Sequence, residues 1–307
     1  MVSATILCEP YVGLHAQTLG LAEAAGLEAT VMDLQPRAPW RWLPRPLWVA
    51  PLRAVKVPEL GDGIVISAGG TGALVGAALR RPGRPVIQVQ HPRRDIRRYD
   101  VVVVNRHDGL TGPNVIVTRT ALHRATPARL AEAAAAWAPR FAHLPRPLVA
   151  VLVGGSNGRH RLDAIVAQAL GAQVAAMMAA DHVGVVLTPS RRTAPDAVKA
   201  LRRALEPAGA WVWDGAGENP YFGMLGLADA IVVTEDSVSM VSEACATSAP
   251  VLLAGLPGRS RRIGRFMQLL QDEGRLRPFA GRLEQWPVEP LDDTPAAGQE
   301  LRHKLGL

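Results

Sequence analysis

Lysine is nearly missing from this chain: it stands at positions 56, 199 and 304 only, so 31 of the 34 basic residues are arginine. Cysteine is as scarce, with Cys8 and Cys245 alone. Two thiols build no disulfide framework, and no Cys/His cluster has metal-ligand spacing, so buried structural thiols and no metal are expected. Aromatic residues make up 5% of the chain, and no recognition helix, zinc finger or RNA-binding signature is present. Nucleic acid is therefore not expected as a partner, despite a net charge of +7 and a pI near 10.2. No apolar run is expected to span a bilayer. The start, MVSATILCEPY, lacks a basic n-region and reads as a first β-strand, which points to the cytoplasm. What the arginine excess does suit is phosphate, whose oxygens match a guanidinium two at a time.

The 307 residues are enough for two domains of ordinary size. In the first half, short β-rich runs at 4–8, 28–32, 64–67, 86–90, 101–104 and 115–117 alternate with helical stretches at 15–25, 73–79 and 128–137. The Pro-rich stretch 139–147 reads as a linker. The pattern then restarts, with strands at 148–153, 185–188, 210–213, 230–233 and 251–253 and helices near 162–178, 195–205, 238–247 and 260–273. Strands apolar at consecutive positions, alternating with helices, make parallel sheets covered on both faces. The fold class is α/β, with two Rossmann-like doubly wound domains facing across a cleft. Domains are expected over 1–140 and 147–285, with an irregular tail over 286–307 holding a helical turn or two. Ligands of such sheets bind at the carboxyl ends of the strands.

Polar loops stand at those ends. In the second half Gly154, Gly155, Ser156, Asn157 and Arg159 follow a strand, a glycine turn through which a backbone can approach phosphate. Ser190, Arg191, Arg192 and Thr193 end the next strand and suit a diphosphate. Asn219 and Tyr221 precede a helix; Asn219 either caps it or holds a sugar or base edge. The densest signal is Thr234, Asp236, Ser237, Ser239, Met240 and Glu243, a polar loop entering a helix. Caps explain one such polar residue and not all of them, and a carboxylate at Glu243 can accept both hydroxyls of a ribose. In the first half Gly13, His15 and Gln17 lie at a helix start after the first strand. His15 has the chemistry of a general base. Gly70, Thr71, Gln90, His91, His107 and Asp108 end further strands and are candidates for an acceptor side.

The segments GLHAQTLGLAEAAG, ISAGGTGA, QVQHPR, VVVVNRHDGLTGPNVIVTRTALHR, VGGSNGRH, TPSRRTAP and ENPYFGMLGLADAIVVTEDSVSMVSEACATSAPVLL resemble, in order, the family containing the plant mitochondrial-fission protein Elm and its bacterial relatives. That resemblance implies a GT-B glycosyltransferase architecture, with the acceptor on the first domain and a nucleotide-sugar donor on the second. The TEDSVSMVSEA stretch is also similar to the donor segment of the bacterial transferase that forms lipid II, where a Glu on the equivalent helix holds the ribose. This implies that role for Glu243. Inverting enzymes of this architecture often place a His base after the first strand, which implies that role for His15. The sequence departs from the family at Glu9-Pro10-Tyr11-Val12, where an Asp-Gly pair is usual, and at Ser248 and Ala249.

The expected function is sugar transfer from a nucleotide-sugar donor to a cell-envelope acceptor, with no metal and no other cofactor. A nucleotide-sugar epimerase and a non-catalytic adaptor, as the plant fission role suggests, stay open as alternatives. One further segment, residues 36–58, interleaves Trp40, Trp42 and Trp48 with Arg37, Arg41, Arg45, Arg53 and Lys56. Tryptophan favours a membrane–water interface and the cations an anionic leaflet. The segment is expected either to dock on the inner face of the cytoplasmic membrane or to pack its Trp under the first sheet.

Overall fold

The computed structural model describes residues 2–57 and 60–307; Pro58, the last residue of the Trp–Arg segment, lies outside them. The chain forms two compact units, Met1–Arg124 with Asp292–Leu307, and Ala125–Leu291.

The first unit runs β1 (Val2–Cys8), α1 (Val12–Ala24), β2 (Leu27–Asp33), α2 (Pro51–Ala54), β3 (Ile64–Ala68), α3 (Gly69–Leu79), β4 (Val86–Val89), β5 (Val101–Asn105) and β6 (Val115–Thr118). Its strands pair in parallel in the order β2-β1-β3-β4-β5-β6. The second unit holds α4 (Pro127–Phe141), β7 (Leu148–Val153), α5 (Ala164–Asp181), β8 (Gly184–Pro189), α6 (Pro195–Leu205), β9 (Trp211–Val212), α7 (Tyr221–Leu227), β10 (Ala230–Thr234), α8 (Val238–Cys245), β11 (Val251–Ala254), α9 (Arg261–Asp272) and β12 (Leu276–Pro278). Its parallel order is β12-β11-β10-β7-β8-β9. The chain winds one way from the first strand of each sheet and then the other. The reversal falls between β1 and β3 in one unit and between β7 and β10 in the other, and those are the places where doubly wound sheets receive ligands.

Val, Ile and Leu build the strands because both sheet faces are covered. All six residues of β7 are buried. Its alternate side chains enter two cores, Leu148, Ala150 and Leu152 on one face and Val149, Val151 and Val153 on the other. Helix α5 has the length and apolar composition of a membrane span, against the expectation that no such run exists. It buries Ala167, Leu170, Gly171, Val174 and Met177 and packs on α6, the arrangement of a crossover helix.

Two expected boundaries are corrected. Helix α4 belongs to the second unit, and Pro139 lies inside it rather than in a linker. The cause is packing: Leu130, Trp137 and Phe141 enter the core that holds Met224 and Leu225 of α7. The close approach requires glycine, since a Cβ at Gly226 would stand 2.5 Å from the Leu130 carbonyl oxygen. The tail also holds more than the helical turn or two expected. It ends in α10 (Thr294–Leu305), twelve residues long, which packs on α1 of the first unit. Leu301 and Ala297 enter that unit's core. Asp293 accepts the Arg119 backbone N–H at 2.6 Å, and the His123 N–H donates to Thr294 Oγ1 at 3.3 Å.

Candidate functional site

The loops after β7, β8 and β10 meet at the second unit's reversal point, tied by one buried carboxylate. Asp236 accepts the Gly155 N–H at 3.0 Å, the Thr234 hydroxyl at 2.7 Å and the Arg192 guanidinium at 2.7 Å, and its side chain is fully enclosed. Thr234 Oγ1 accepts the Gly154 N–H at 2.8 Å. Asn157 donates to the Asp236 carbonyl at 3.0 Å, and Thr193 donates to the Gly154 carbonyl. Three segments distant in sequence are thereby fixed as one surface.

This geometry divides the expected donor residues. Gly154 and Gly155 are needed because a Cβ on either would overlap Asp236 or the Arg192 backbone. Their N–H groups are committed inside the protein, so the glycine turn is a packing device and not an open phosphate cradle. Arg192 likewise neutralises Asp236 and donates to the Gly155 carbonyl at 3.1 Å. Arg191 and Arg159 are exposed, and neither side chain has a hydrogen bond or ion pair among the described residues. Ser156 Oγ accepts the Leu162 N–H at 3.0 Å. Ser190 and Thr193 close their own turn, with hydroxyls 3.2 Å apart. Ser237 caps α8, accepting from the Met240 N–H at 3.4 Å. Ser239 is half-buried in the first turn of α8, and Met240 packs against the core.

Glu243 stands farther along α8 and is buried, at 7% exposure. One carboxylate oxygen accepts the Tyr221 hydroxyl at 2.6 Å; the other has no partner among the described residues. Burial pushes the carboxyl up to about 7, with the tyrosine hydrogen bond opposing it. The Tyr221 phenol is raised well above its ordinary value, by burial first and by the adjacent carboxylate second. Asn219 accepts the Tyr221 N–H at 3.0 Å, closing a turn just ahead of α7, whose N-cap is Pro220. The Tyr221–Glu243 pair was not legible as a pair, since 22 residues separate its members.

In the first unit, His15 lies on α1, and its Nε2 meets Asp33 Oδ1 at 2.8 Å, with both side chains partly open to solvent. Asp33 was missed because the β-rich run ends at Met32. It is nonetheless the polar residue at a strand's carboxyl end, the signal used elsewhere. With Nε2–H donated to the carboxylate, Nδ1 carries the free lone pair. Gly13 and Gln17 share α1 with His15, and Gln90 donates to Gln17 at 3.2 Å. His91 Nδ1 accepts the Arg93 N–H at 2.9 Å. His107 and Asp108 have enclosed side chains, 3.7 Å apart. At the reversal point between β1 and β3, Arg45 bridges Glu9 at 2.7 Å and the Thr71 hydroxyl at 3.3 Å, lying over Gly70. Cys8 and Cys245 are both buried and pushed up to about 12 by burial, so both thiols stay protonated. Among the described residues, no group of three His, Cys, Asp or Glu side chains stands where it would hold a metal ion.

Comparison with known proteins places this geometry. Among solved structures, the UDP-GlcNAc 2-epimerase of Methanocaldococcus jannaschii in complex with UDP-GlcNAc and UDP superposes with a TM-score of 0.56 at 12% identity, over 100% of both chains. The glycosyltransferase SnogD of Streptomyces nogalater superposes with a TM-score of 0.53 at 17% identity, over 99% of this chain and 95% of that one. At such identities the likeness speaks for the fold, two Rossmann-like units of the GT-B type. In sequence, the mitochondrial fission protein ELM1 of Arabidopsis thaliana is 33% identical over 275 residues, 80% of this chain and 64% of that protein. This chain therefore spans a little under two thirds of that relative's length. The model of the family described as mitochondrial fission ELM1 matches residues 12–305, and the chain belongs to that family.

Proposed function

We propose that the second unit binds a nucleoside diphosphate sugar and that the chain transfers its sugar to an acceptor hydroxyl. The observation that carries this reading is Glu243: a buried carboxylate with one oxygen held by Tyr221 and the other without a partner among the described residues, on the helix that leaves the reversal point of the sheet. A ribose supplies two hydroxyl donors to such a group, and ionisation at neutral pH is then stabilised by the ligand itself. The diphosphate falls to Arg191, Arg159, and the N–H groups at the start of α8, which favour the negative charge that grows on the leaving group. These groups serve without a metal. Asp236 and Arg192 touch no ligand in this scheme; they hold the three loops in register.

His15 on the first unit is the base for the acceptor hydroxyl, with Asp33 orienting the ring and stabilising the imidazolium as the proton arrives. The acceptor is of the cell envelope.

The test is calorimetric titration of the full chain with UDP, 2′-deoxy-UDP, UDP-GlcNAc and pyrophosphate, each with and without chelator. Ribonucleotides should bind more tightly than the deoxy form, and chelator should change nothing. Equal affinity for UDP and pyrophosphate would remove Glu243 from the ribose. Conversion of UDP-GlcNAc to its C2 epimer would move the chain from transferase to epimerase.

A further inference from the structure

We infer that the segment around residues 40–53 of the first unit is a docking surface for an anionic lipid bilayer. Among the described residues, five of the eleven exposed large hydrophobic side chains lie within eleven consecutive residues: Trp42 at 67% exposure, Leu43, Leu47, Val49 at 91% and Leu52. Scattered exposed apolar residues are ordinary, but a contiguous cluster marks an interaction surface.

The segment is built to hold that cluster outward. Trp48 is buried in the core of the first unit and donates its ring N–H to the Leu43 carbonyl at 3.1 Å. Trp40 packs edge-on against it, with ring centroids 6.3 Å apart. The Arg37 N–H reaches the Ala54 carbonyl at 2.8 Å and ties the two ends of the segment together. With Trp48 and Trp40 turned inward, their neighbours are left facing water. This corrects the three-tryptophan expectation. Trp48 belongs to the core and Trp40 supports it, so Trp42 is the tryptophan available to a membrane.

The charge around the cluster selects the occupant. Between Leu34 and Val57 there are five cations and no Asp or Glu. Arg45 is spent on Glu9, which leaves Arg37, Arg41, Arg53 and Lys56 exposed beside the apolar tips. The Arg41 guanidinium lies 4.5 Å from the centre of the Trp42 ring. An amphipathic ring beside cations suits the headgroup layer, and acidic headgroups supply the charge that the segment lacks. Arg45 also joins this surface to the β1–β3 reversal point, through Glu9 and Thr71. The inference needs no nucleotide and stands apart from the donor reading.

The full chain is to be sedimented with phosphatidylcholine vesicles, with and without phosphatidylglycerol, at low and high salt. A second series carries brominated acyl chains. Binding should require phosphatidylglycerol, fall with salt, and quench tryptophan emission. The Trp42→Ala, Leu47→Ala double variant should keep the melting temperature, lose the quenching and bind at least about tenfold more weakly. Arg53→Ala and Lys56→Ala should each cost about fivefold. Wild type remaining in the supernatant at low salt, or a double variant that binds like wild type, overturns the inference. So does concentration-dependent dimerisation that Trp42→Ala abolishes while vesicles are ignored, which would give the surface to a second copy of the chain.

Discussion

Replacing Glu243 by Gln should stabilise the protein at alkaline pH and at the same time impair it. Burial raises the carboxyl from 4.5 to about 7, so ionising it in the folded protein costs more than in the unfolded chain. A shift of that size corresponds to about 3 kcal/mol. Because the folded-state value is the higher one, the native state holds the extra proton between roughly pH 4.5 and 7. Stability therefore falls as pH rises through that window and is flat above it. Glutamine is nearly isosteric, keeps an acceptor for the Tyr221 hydroxyl and never ionises. Urea denaturation followed by circular dichroism should give Glu243→Gln and wild type similar free energies at pH 4.5. By pH 8 the variant should lead by up to about 3 kcal/mol. In the same samples UDP should bind the variant more weakly, and wild-type affinity for UDP should rise with pH through about 7, as the carboxylate the ribose requires becomes available. A variant-minus-wild-type difference that does not change between pH 4.5 and 8 would refute this account of the site.

Asp236→Ala leaves the buried Gly155 N–H and Thr234 hydroxyl without their acceptor, and should cost about 2–4 kcal/mol in the same denaturation assay; a loss under 1 kcal/mol would mean that the three loops are held by something else. Arg191→Ala should weaken UDP binding by about 1.5–3 kcal/mol with the melting temperature unchanged. Arg192→Ala should lower the melting temperature, and the reverse pattern would exchange their roles. Asp33→Asn should reduce turnover of a nucleotide sugar at neutral pH while leaving UDP affinity intact, as measured by release of free nucleotide and by calorimetry. Intact turnover would leave His15 without its proposed orienting partner.

Much of this was legible because strand ends and helix starts are locally encoded. The run LVAVLV marks β7 to the residue, and the alternation of such runs with Ala/Leu stretches gives the doubly wound class. Glu243 also stood out, as a carboxylate among small and apolar neighbours on a short helix. What could not be read was commitment between distant groups. Nothing local says that Arg192 rather than Arg191 turns inward to Asp236, because the choice is made 44 residues away. The assignment of α4 failed for the same reason. Its apolar face is visible in the sequence, but the partner, α7, is defined only once Gly223 and Gly226 let the two helices close. Trp48 and Trp42 look alike in composition, and only membership of the core that also holds Leu34 and Val55 separates the buried ring from the exposed one.

The return of α10 to the first unit makes that unit discontinuous in the chain. Ala125–Leu291 is in effect an insertion within it, and a fragment ending near Arg124 lacks Leu301, Ala297 and the Asp293 partner of Arg119. Gly298 sits so close to Ala24 that a Cβ would stand 2.5 Å from its carbonyl carbon, so the helix seats tightly or not at all. During synthesis the first unit must wait, with the α1 surface uncovered, until the whole of the second has left the ribosome. Closing a loop of that length adds little to the entropic cost of docking but places it among the late events of folding. Loss of the final helix should therefore show itself first in the half of the protein most distant from it in sequence.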